Sequence, residues 1–455
     1  MLLTRVALLA REHWRGVFSQ ARTMHRAVEY GVGLLLAVGR KTMTSSILAR
    51  GLGADDWSAD YKMFSRSPWD ERRLFRPAVV TFLMSFPTGF IPIALDDTKL
   101  HKTGAKIPHV SWQRDPLSPP FATNFIRAQR FVQASVLLPH HRDHELPARG
   151  IPVAFESAPA LKRPGSRASA DERARYNAER KVKNLSTQSL AVMRRLREDF
   201  DREGGMDRPL LFAVDGSFCN RAVFRAELER IELIARARKD AKLCFAAPVG
   251  SRRWYTETTF TPEQVRMDES IPYHSATFRL GTMLHEVRFK EIPSLLWRTG
   301  AARRPLRLFV LAPQPYQVRG RRNYRQPAYL LTTDLTTPAV LLIQVYIDRW
   351  QIEVNHREEK DLLGVGQAQV WSEQSAQRHP TFSAALYSMV LVAAFLEFGP
   401  TRTSDFVAQP RWRSKAGRHS LLDLLRLLRR ECSEVQNSLV PFPIPARTLL
   451  LAANG

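Results

Sequence analysis

Two apolar segments of this chain each run directly into aspartate, and this feature limits the fold more than any other. The segment IPIALDDT (91–98) alternates in the manner of a strand and reaches Asp97, and RPLLFAVDGSF (208–218) is an apolar strand that ends at Asp215. Polar residues just past strand ends form the binding edge of an open α/β sheet. Turns and helix caps also use Asp, so a purely structural role stays open for each residue.

A polar stripe on one helix is the sharpest signal in the sequence. The segment YIDRWQIEVNHREEK covers residues 346–360. At about 100° per residue, Tyr346, Arg349, Glu353 and Lys360 share an arc of roughly 60° on one helix face. A solvated face with an Arg349–Glu353 ion pair would explain the charges, but not the aromatic residues Tyr346 and Trp350 among them.

One chemistry requires all three acids together. Hydrolysis and transfer of phosphodiesters by two metal ions uses carboxylates, because Mg²⁺ and Mn²⁺ prefer hard oxygen ligands. The sequence therefore predicts that the carboxylates of Asp97, Asp215 and Glu353 converge within a few ångströms of a common centre.

The charge of the chain favours a polyanionic partner. Its 455 residues include 68 Lys and Arg against 44 Asp and Glu, a net charge of +24, for which DNA or RNA is the default candidate. The cysteines, Cys219, Cys244 and Cys432, lack zinc-site spacing and fit a reducing cytosol. The longest apolar run, 382–399, is shorter than a membrane span and predicts a buried core helix rather than a membrane anchor.

The pattern along the chain predicts an α/β protein with five regions. The division is a helical DNA-binding domain at 1–80, a first α/β core segment at 81–243, a β-rich insertion at 244–336, a second core segment with the polar helix at 337–371, and a helical C-terminal region at 372–455.

The sequence resembles the DDE transposases of bacterial insertion sequences, in the branch marked by Tyr, Arg, Glu and Lys (YREK). Tyr346, Arg349, Glu353 and Lys360 match its spacing Y-x2-R-x3-E-x6-K without a gap. The segments IALDDTKLHKTGAKI and FAVDGSFCN are similar to its first and second acid segments. The resemblance implies an RNase H-like core with a β-rich insertion, and an enzyme that binds terminal inverted repeats, cuts them, and joins the 3′-OH ends to target DNA.

The resemblance also implies roles for individual residues. Asp97, Asp215 and Glu353 would bind two Mg²⁺ ions, with Mn²⁺ as a possible substitute. Asp96 is the alternative first acid, although strand alternation and the following Thr98 favour Asp97. Other residues would contact the DNA: Tyr346, Arg349 and Lys360 would bind phosphates, and Trp350 would pack near the DNA end.

Basic residues elsewhere are further candidates for the DNA backbone. They are Arg238 and Lys239 after the second acid, and Arg321 and Arg322 in the dense run VRGRRNYR. A solvated charged loop is the alternative for each. The expected partners are double-stranded DNA and a second copy of the chain, in the bacterial cytoplasm. A catalytically inactive DNA-binding protein and a cellular RNase H-like nuclease remain the rival functions.

Overall fold

The computed structural model describes residues 1–53, 56–104, 106–115, 118–119, 121–138, 148–281, 283–318, 320–399 and 419–439. Parts of the predicted C-terminal region, 400–418 and 440–455, lie outside these described residues. The helices are α1 (Leu2–His13), α2 (Ala21–Leu36), α3 (Met43–Ala49), α4 (Ser58–Ser65), α5 (Arg76–Ser85), α6 (Ala170–Val182), α7 (Leu185–Arg202), α8 (Arg221–Phe224), α9 (Pro262–Met267), α10 (Ala339–Asp348), α11 (Gln351–Asp361), α12 (Glu373–Phe398) and α13 (Leu421–Leu439). A 3₁₀ helix, Glu71–Phe75, precedes α5.

The strands form one large mixed sheet and one small hairpin. They are β1 (Ile91–His101), β2 (Ser111–Arg114), β3 (Phe125–Leu138), β4 (Arg149–Ser157), β5 (Leu210–Val214), β6 (Ile231–Arg236), β7 (His274–Leu280), β8 (Met283–Leu296), β9 (Pro305–Leu311), β10 (Pro315–Val318), β11 (Arg321–Tyr324) and β12 (Ala328–Thr332). The ten-stranded sheet runs β2-β3-β1-β5-β6-β12-β9-β8-β7, with β4 also on β3, and β10 and β11 form a separate two-stranded sheet.

The middle of the sheet combines two kinds of strand pairing. Strand β1 is antiparallel to β3 on one side and parallel to β5 on the other, and β5 is parallel to β6. The parallel pairing of β1 with β5 ends at Leu95↔Val214, so the two predicted acid segments are neighbours, while β1 continues against β3 to His101. Strands β12, β9, β8 and β7 then continue this sheet from β6, each antiparallel to its neighbour.

The two sheet faces are covered by different helices. Ala94 and Ala213 share a hydrophobic cluster with Ile343 of α10 and Ile352 of α11. Their neighbours in sequence, Leu95 and Val214, belong instead to the main cluster, which includes side chains of α5, α7 and α12. Residues of even and odd position on β1 therefore face different surroundings.

Helix α12 lies at the centre of the helical part. It contacts α1, α4, α5, α11, α13 and strand β4. Within the described part of the chain, α12 is a helix whose length and apolar composition would allow it to span a membrane. However, 83% of its most apolar 18-residue segment is buried inside the protein. This burial agrees with the predicted core helix, because a helix that is apolar on all sides must be covered on all sides.

Candidate active site at the carboxylate edge

Asp96 and Asp97 lie in the middle of β1, just past the point where its pairing with β5 ends, and they point to opposite faces of the sheet. The strand was predicted to end at these aspartates, but it continues to His101 because β3 still pairs with it there. Successive strand residues alternate between faces, so Asp96 shares the face of Ala94, and Asp97 that of Leu95. Asp215 follows β5 one position beyond the registered pair Leu95↔Val214. It is thus level with Asp96 and on the same face. We refer to Asp96, Asp97 and Asp215 as the carboxylate edge.

Arg349 connects the carboxylate edge to the polar stripe. Its Nη1 lies 3.6 Å from Oδ2 of Asp96, and its Nη2 donates a 3.0 Å hydrogen bond to Oε1 of Glu353. The guanidinium is largely buried, and its Nε and Nη1 atoms have no hydrogen-bond partner among the described residues. The Arg349–Glu353 pair expected of a solvated face is present, but its arginine is largely buried, while the Glu353 side chain stays 36% exposed.

The helix that carries the stripe is interrupted, which differs from the single helix predicted from residue 337. Helix α10 ends at Asp348 and α11 begins at Gln351. Between them, Trp350 N donates to Ile347 O and Glu353 N donates to Trp350 O, which are three-residue bonds of the 3₁₀ type. Because Arg349 and Trp350 keep right-handed helical dihedrals, the stripe keeps nearly the same direction across the break.

The electrostatics distinguish the two aspartates of β1. Burial raises the pKa of Asp96 to about 7, and the nearby charge of Asp215 adds to this effect while Arg349 opposes it. Burial also raises the pKa of Asp97, and there Arg130 and Lys99 are the main opposing charges. Asp96 therefore has Asp215 and Arg349 as its strongest charged neighbours, whereas Arg130 and Lys99 act most strongly on Asp97, with weaker effects of Asp215 and Lys360. The geometry favours Asp96, the alternative first acid, over Asp97.

The carboxylate of Asp215 is oriented by the turn that follows it. Its Oδ1 accepts bonds from Ser217 N at 2.9 Å and Ser217 Oγ at 2.6 Å. This is an Asx turn, in which a short acidic side chain fixes the local backbone. The second oxygen of the carboxylate has no hydrogen bond that ties it to this turn.

The remaining stripe residues lie around the carboxylate edge. The Tyr346 ring centroid is 5.9 Å from the Arg349 guanidinium, and burial raises the pKa of Tyr346, with Arg349, Arg236 and Asp215 also acting on it. Burial lowers the pKa of Lys360, which is opposed by acids that include Asp97 and Asp96. Tyr346, Arg349 and Lys360 thus interact with acids of this edge, and Glu353 is connected to it through Arg349.

His356 is a neighbour of the site that the sequence analysis did not identify. It lies one turn after Glu353 and one turn before Lys360, and its Nε2 is buried with no hydrogen-bond partner in the described part of the chain. Burial and the charges of Lys360 and Arg349 lower its pKa to about 3, so the imidazole is neutral. Its spacing of three residues from Glu353 on the same helix could have predicted that it lies near the site.

Buried polar contacts fix α11 on the sheet. Gln133, opposite Asp96 in the β1–β3 register, donates a 3.0 Å bond to Oε1 of Glu359. Burial raises the pKa of Glu359 well above its usual value. Asn355 donates to the carbonyl of Gly150 and to the Tyr387 hydroxyl, both at 2.9 Å. These contacts hold the stripe at a set height above Asp96.

The other predicted DNA contacts lie on the surface, away from these buried bonds. Trp350 is 59% exposed at the helix break. Arg238 forms two bonds with Asp240, at 2.9 and 2.7 Å, and Lys239 beside it is exposed. Arg321 and Arg322 are exposed on β11, where Arg322 stacks 5.4 Å from the Tyr324 ring centroid. None of these is joined to the carboxylate edge by a described hydrogen bond.

The donor set suits a divalent cation in type, although the predicted convergence of three carboxylates is not formed. Among the described residues, no three His, Cys, Asp or Glu side chains meet at metal-ligand distance. Glu353 is paired with Arg349, whose guanidinium lies between it and Asp96. Even so, burial and then the charge of Asp215 raise the pKa of Asp96, and a cation bound between the two carboxylates would oppose both effects.

Comparison with known proteins places the chain in a family. The sequence matches the family described as DDE superfamily endonuclease over residues 16–258, just over half of its length. The matched region contains Asp96, Asp97 and Asp215 but ends before Glu353. No curated protein matches the chain. The chain therefore belongs to the DDE superfamily endonucleases.

Proposed function

We propose that this endonuclease is a cut-and-paste DNA transposase of the YREK branch. It binds the terminal inverted repeats of its element, cleaves the phosphodiester bonds at the ends, and joins the 3′-OH ends to target DNA. The observation that carries the proposal is the position of Arg349, which connects Glu353 to Asp96 across the carboxylate edge.

The sheet supports an RNase H-like core. In such a core, two of the three acids lie on neighbouring strands of one mixed sheet, and the third acid comes from a helix that packs on the face of the sheet. Here β1 and β5 carry Asp96 and Asp215, and α11 supplies Glu353 from the face that also buries Ile352. The strands of residues 244–336 would be the β-rich insertion.

Asp96, Asp215 and Glu353 would hold the divalent ions, two Mg²⁺ with Mn²⁺ as a substitute. When bound, such ions activate the attacking oxygen and stabilise the leaving oxygen of a phosphodiester. For Glu353 to join the other two acids, its bond to Arg349 must open. Arg349 would then be free to bind a phosphate, which a guanidinium does with two parallel hydrogen bonds.

The remaining residues would position DNA. Tyr346 and Lys360 would contact phosphates near the cleaved bond, and the exposed ring of Trp350 would pack on the DNA end. Lys239, Arg321 and Arg322 would contact the backbone farther away. Asp240 engages Nε and Nη2 of Arg238, so Arg238 would use its remaining Nη1 group for a phosphate, or bind with two nitrogens after release from Asp240. A homodimer would pair the two ends of the element in the cytoplasm.

Cleavage of a labelled terminal-repeat duplex in Mg²⁺ tests the proposal. Asp215→Asn and Glu353→Gln should abolish cleavage and joining while gel-shift binding stays near wild type, because they remove metal charge and leave phosphate contacts in place. Asp207→Asn is the matched control, since it makes the same charge change at an exposed position before β5.

The products separate the rival functions. Cleavage without joining to target DNA would indicate a cellular nuclease. Specific binding of the repeats with no cleavage by the wild type would indicate an inactive DNA-binding protein.

A further inference from the structure

Residues 160–184, between β4 and α7, form an arm that the predicted DNA-binding set does not include. Its helix, α6, has no buried residue. The helix begins with a capping box in which Ser169 Oγ accepts from Glu172 N, and Glu172 Oε2 accepts from Ser169 N. Most helices in proteins are stabilised by burying one face, so a fully exposed helix is unusual. We call residues 160–184 the basic arm.

The basic arm carries an excess of positive charge. It contains eight basic and three acidic residues: Lys162, Arg163, Arg167, Arg173, Arg175, Arg180, Lys181 and Lys183 against Asp171, Glu172 and Glu179. Within the described residues, Lys183 is paired with Glu179 at 2.7 Å, and no ion pair holds Arg163, Arg175 or Arg180. Most of its cations are therefore available to an external anion.

One face of the arm is a groove lined by arginine. The loop 163–166 lies along the helix, and Arg173 Nη2 donates a 2.7 Å bond to Ser166 O that braces it. Arg163, Arg173, Tyr176, Asn177 and Arg180 line the groove, and no carboxylate does. Positions 173, 176, 177 and 180 share a helix face, whereas Arg175 lies about 200° from Arg173.

Both ends of the basic arm are attached near the carboxylate edge. At its start, Ala158 exchanges two 2.8 Å bonds with Arg130, a residue opposite Lys99 in the β1–β3 register. At its end, Ser186 accepts a 3.0 Å bond from Asn220, which follows Asp215 by one short turn. The arm thus projects from the part of the molecule where the acids lie.

We propose that the groove of the basic arm binds backbone phosphates of duplex DNA beside the bond that is cleaved. The inference rests on the proposed DNA-cleaving function and adds a binding surface to it. Guanidinium groups bind phosphate through paired hydrogen bonds, and Tyr and Asn side chains add neutral donors. The helix is about 20 Å long, which matches about six base pairs of duplex.

The test compares arginines on opposite faces of α6. The double variant Arg163→Gln/Arg180→Gln removes groove charge, and Arg175→Gln is the control on the back of the same helix. Glutamine keeps helix propensity, and the side chains are exposed, so thermal unfolding should match wild type for both. Fluorescence anisotropy on a terminal-repeat duplex and on a random duplex is measured across a salt series.

The double variant should bind both duplexes about tenfold more weakly, and the salt slope should fall by about 1.8 for two lost phosphate contacts. Cleavage should fall at subsaturating DNA and recover at saturating DNA, because the groove holds DNA and does not act on the reacting bond. Arg175→Gln should behave as wild type.

The possible outcomes distinguish a failure of the inference about the groove from a failure of the proposed function. If the wild type binds and cleaves DNA and the double variant equals Arg175→Gln, the groove is not a DNA site and only this inference fails. If the wild type binds without cleaving, the catalytic proposal fails, and the comparison of affinities still decides the role of the groove. A wild type that binds no duplex overturns both.

Discussion

At the scale of single residues, strand alternation predicts the faces of β1 but not which face holds the site. The analysis of IPIALDDT correctly groups Asp97 with Ile93 and Leu95, and all three share one face. Helix α11 packs on one of the two faces, and which one depends on segments far from β1 in sequence. The local pattern of β1 therefore could not predict on which face the site lies. The contact between Arg349 and Asp96, together with the level of Asp215, supports our proposal of Asp96 as the first acid.

A pair of substitutions separates the two aspartates. Asp96→Asn should lower Mg²⁺-dependent cleavage by several kcal/mol, on the order of a thousandfold, because it removes a metal ligand. Asp97→Asn should stay within about tenfold of wild type, because its carboxylate faces Arg130 and Lys99. Strand cleavage is the measurement and thermal unfolding the control. Equal activity of the two variants, or the reverse order, would restore Asp97 as the first acid.

Arg349 supplies a second residue-scale prediction. Lysine has one ammonium and cannot reach Asp96 and Glu353 together, nor grip a phosphate with two parallel bonds. Arg349→Lys should therefore lower cleavage by roughly ten- to a hundredfold, about 1.4–3 kcal/mol. Arg357→Lys, at an exposed position of the same helix, is the matched control. Equal cleavage by the two variants would reduce the Arg349 contacts to a structural ion pair.

At the scale of elements, periodicity predicts helices better than it predicts their ends. The stripe from Tyr346 to Lys360 was expected on one helix, and its residues do face one edge. The break at Arg349 and Trp350 has no breaker such as Gly or Pro, so composition gives no warning of it. It coincides with the point where Arg349 enters the sheet edge and Trp350 turns outward.

Helix α12 makes a pH-dependent contribution to stability. The His379 ring is buried, its Nε2 lies 2.7 Å from the Tyr30 hydroxyl, and burial with the charge of Lys102 lowers its pKa to about 3. Above pH 6.5 the ring is neutral in both states. Below that value the unfolded chain binds a proton and the folded chain does not, so stability falls by up to about 1.4 kcal/mol per pH unit.

The measurement is thermal unfolding at pH 7.5 and 5.5 for the wild type and His379→Gln. The variant should lose less stability between these values, by about 1 kcal/mol. His356 adds a second loss of the same sign, while Glu359, with its raised pKa, acts in the opposite sense in both proteins. His25→Gln, at an exposed site, should leave the dependence unchanged. A pH dependence of His379→Gln equal to that of the wild type would contradict the argument.

At the scale of the molecule, contacts between segments distant in sequence determine which strands pair and which helices pack together, and the local pattern does not predict these contacts. The short β runs of residues 274–332 were predicted as strands, but their alternation does not say which strand they join. Strands β7, β8, β9 and β12 continue the central sheet through the pairing of β12 with β6, whereas β10 and β11 form a separate hairpin. Similarly, residues 1–80 show a helical pattern that gives no hint that their apolar faces cover α12.

The packing around α12 predicts the result of removing residues 1–80. Trp14 and Tyr30 lie against Phe382 with ring centroids 5.5 and 5.8 Å apart, and Gly31 packs close to Leu386. Exposing even a few such side chains costs about 1.5–3 kcal/mol each, a large part of the stability of a domain. The truncated chain should bind the dye ANS and lose cooperative thermal unfolding.

The role of these helices in choosing terminal repeats should therefore be measured on the full chain, with Arg22, Arg40 and Lys62 changed to Gln, since all three are exposed. Those variants should unfold as wild type and lose preference for repeats over random duplex. A truncated chain that unfolds cooperatively without binding ANS would show instead that residues 1–80 form a separate domain.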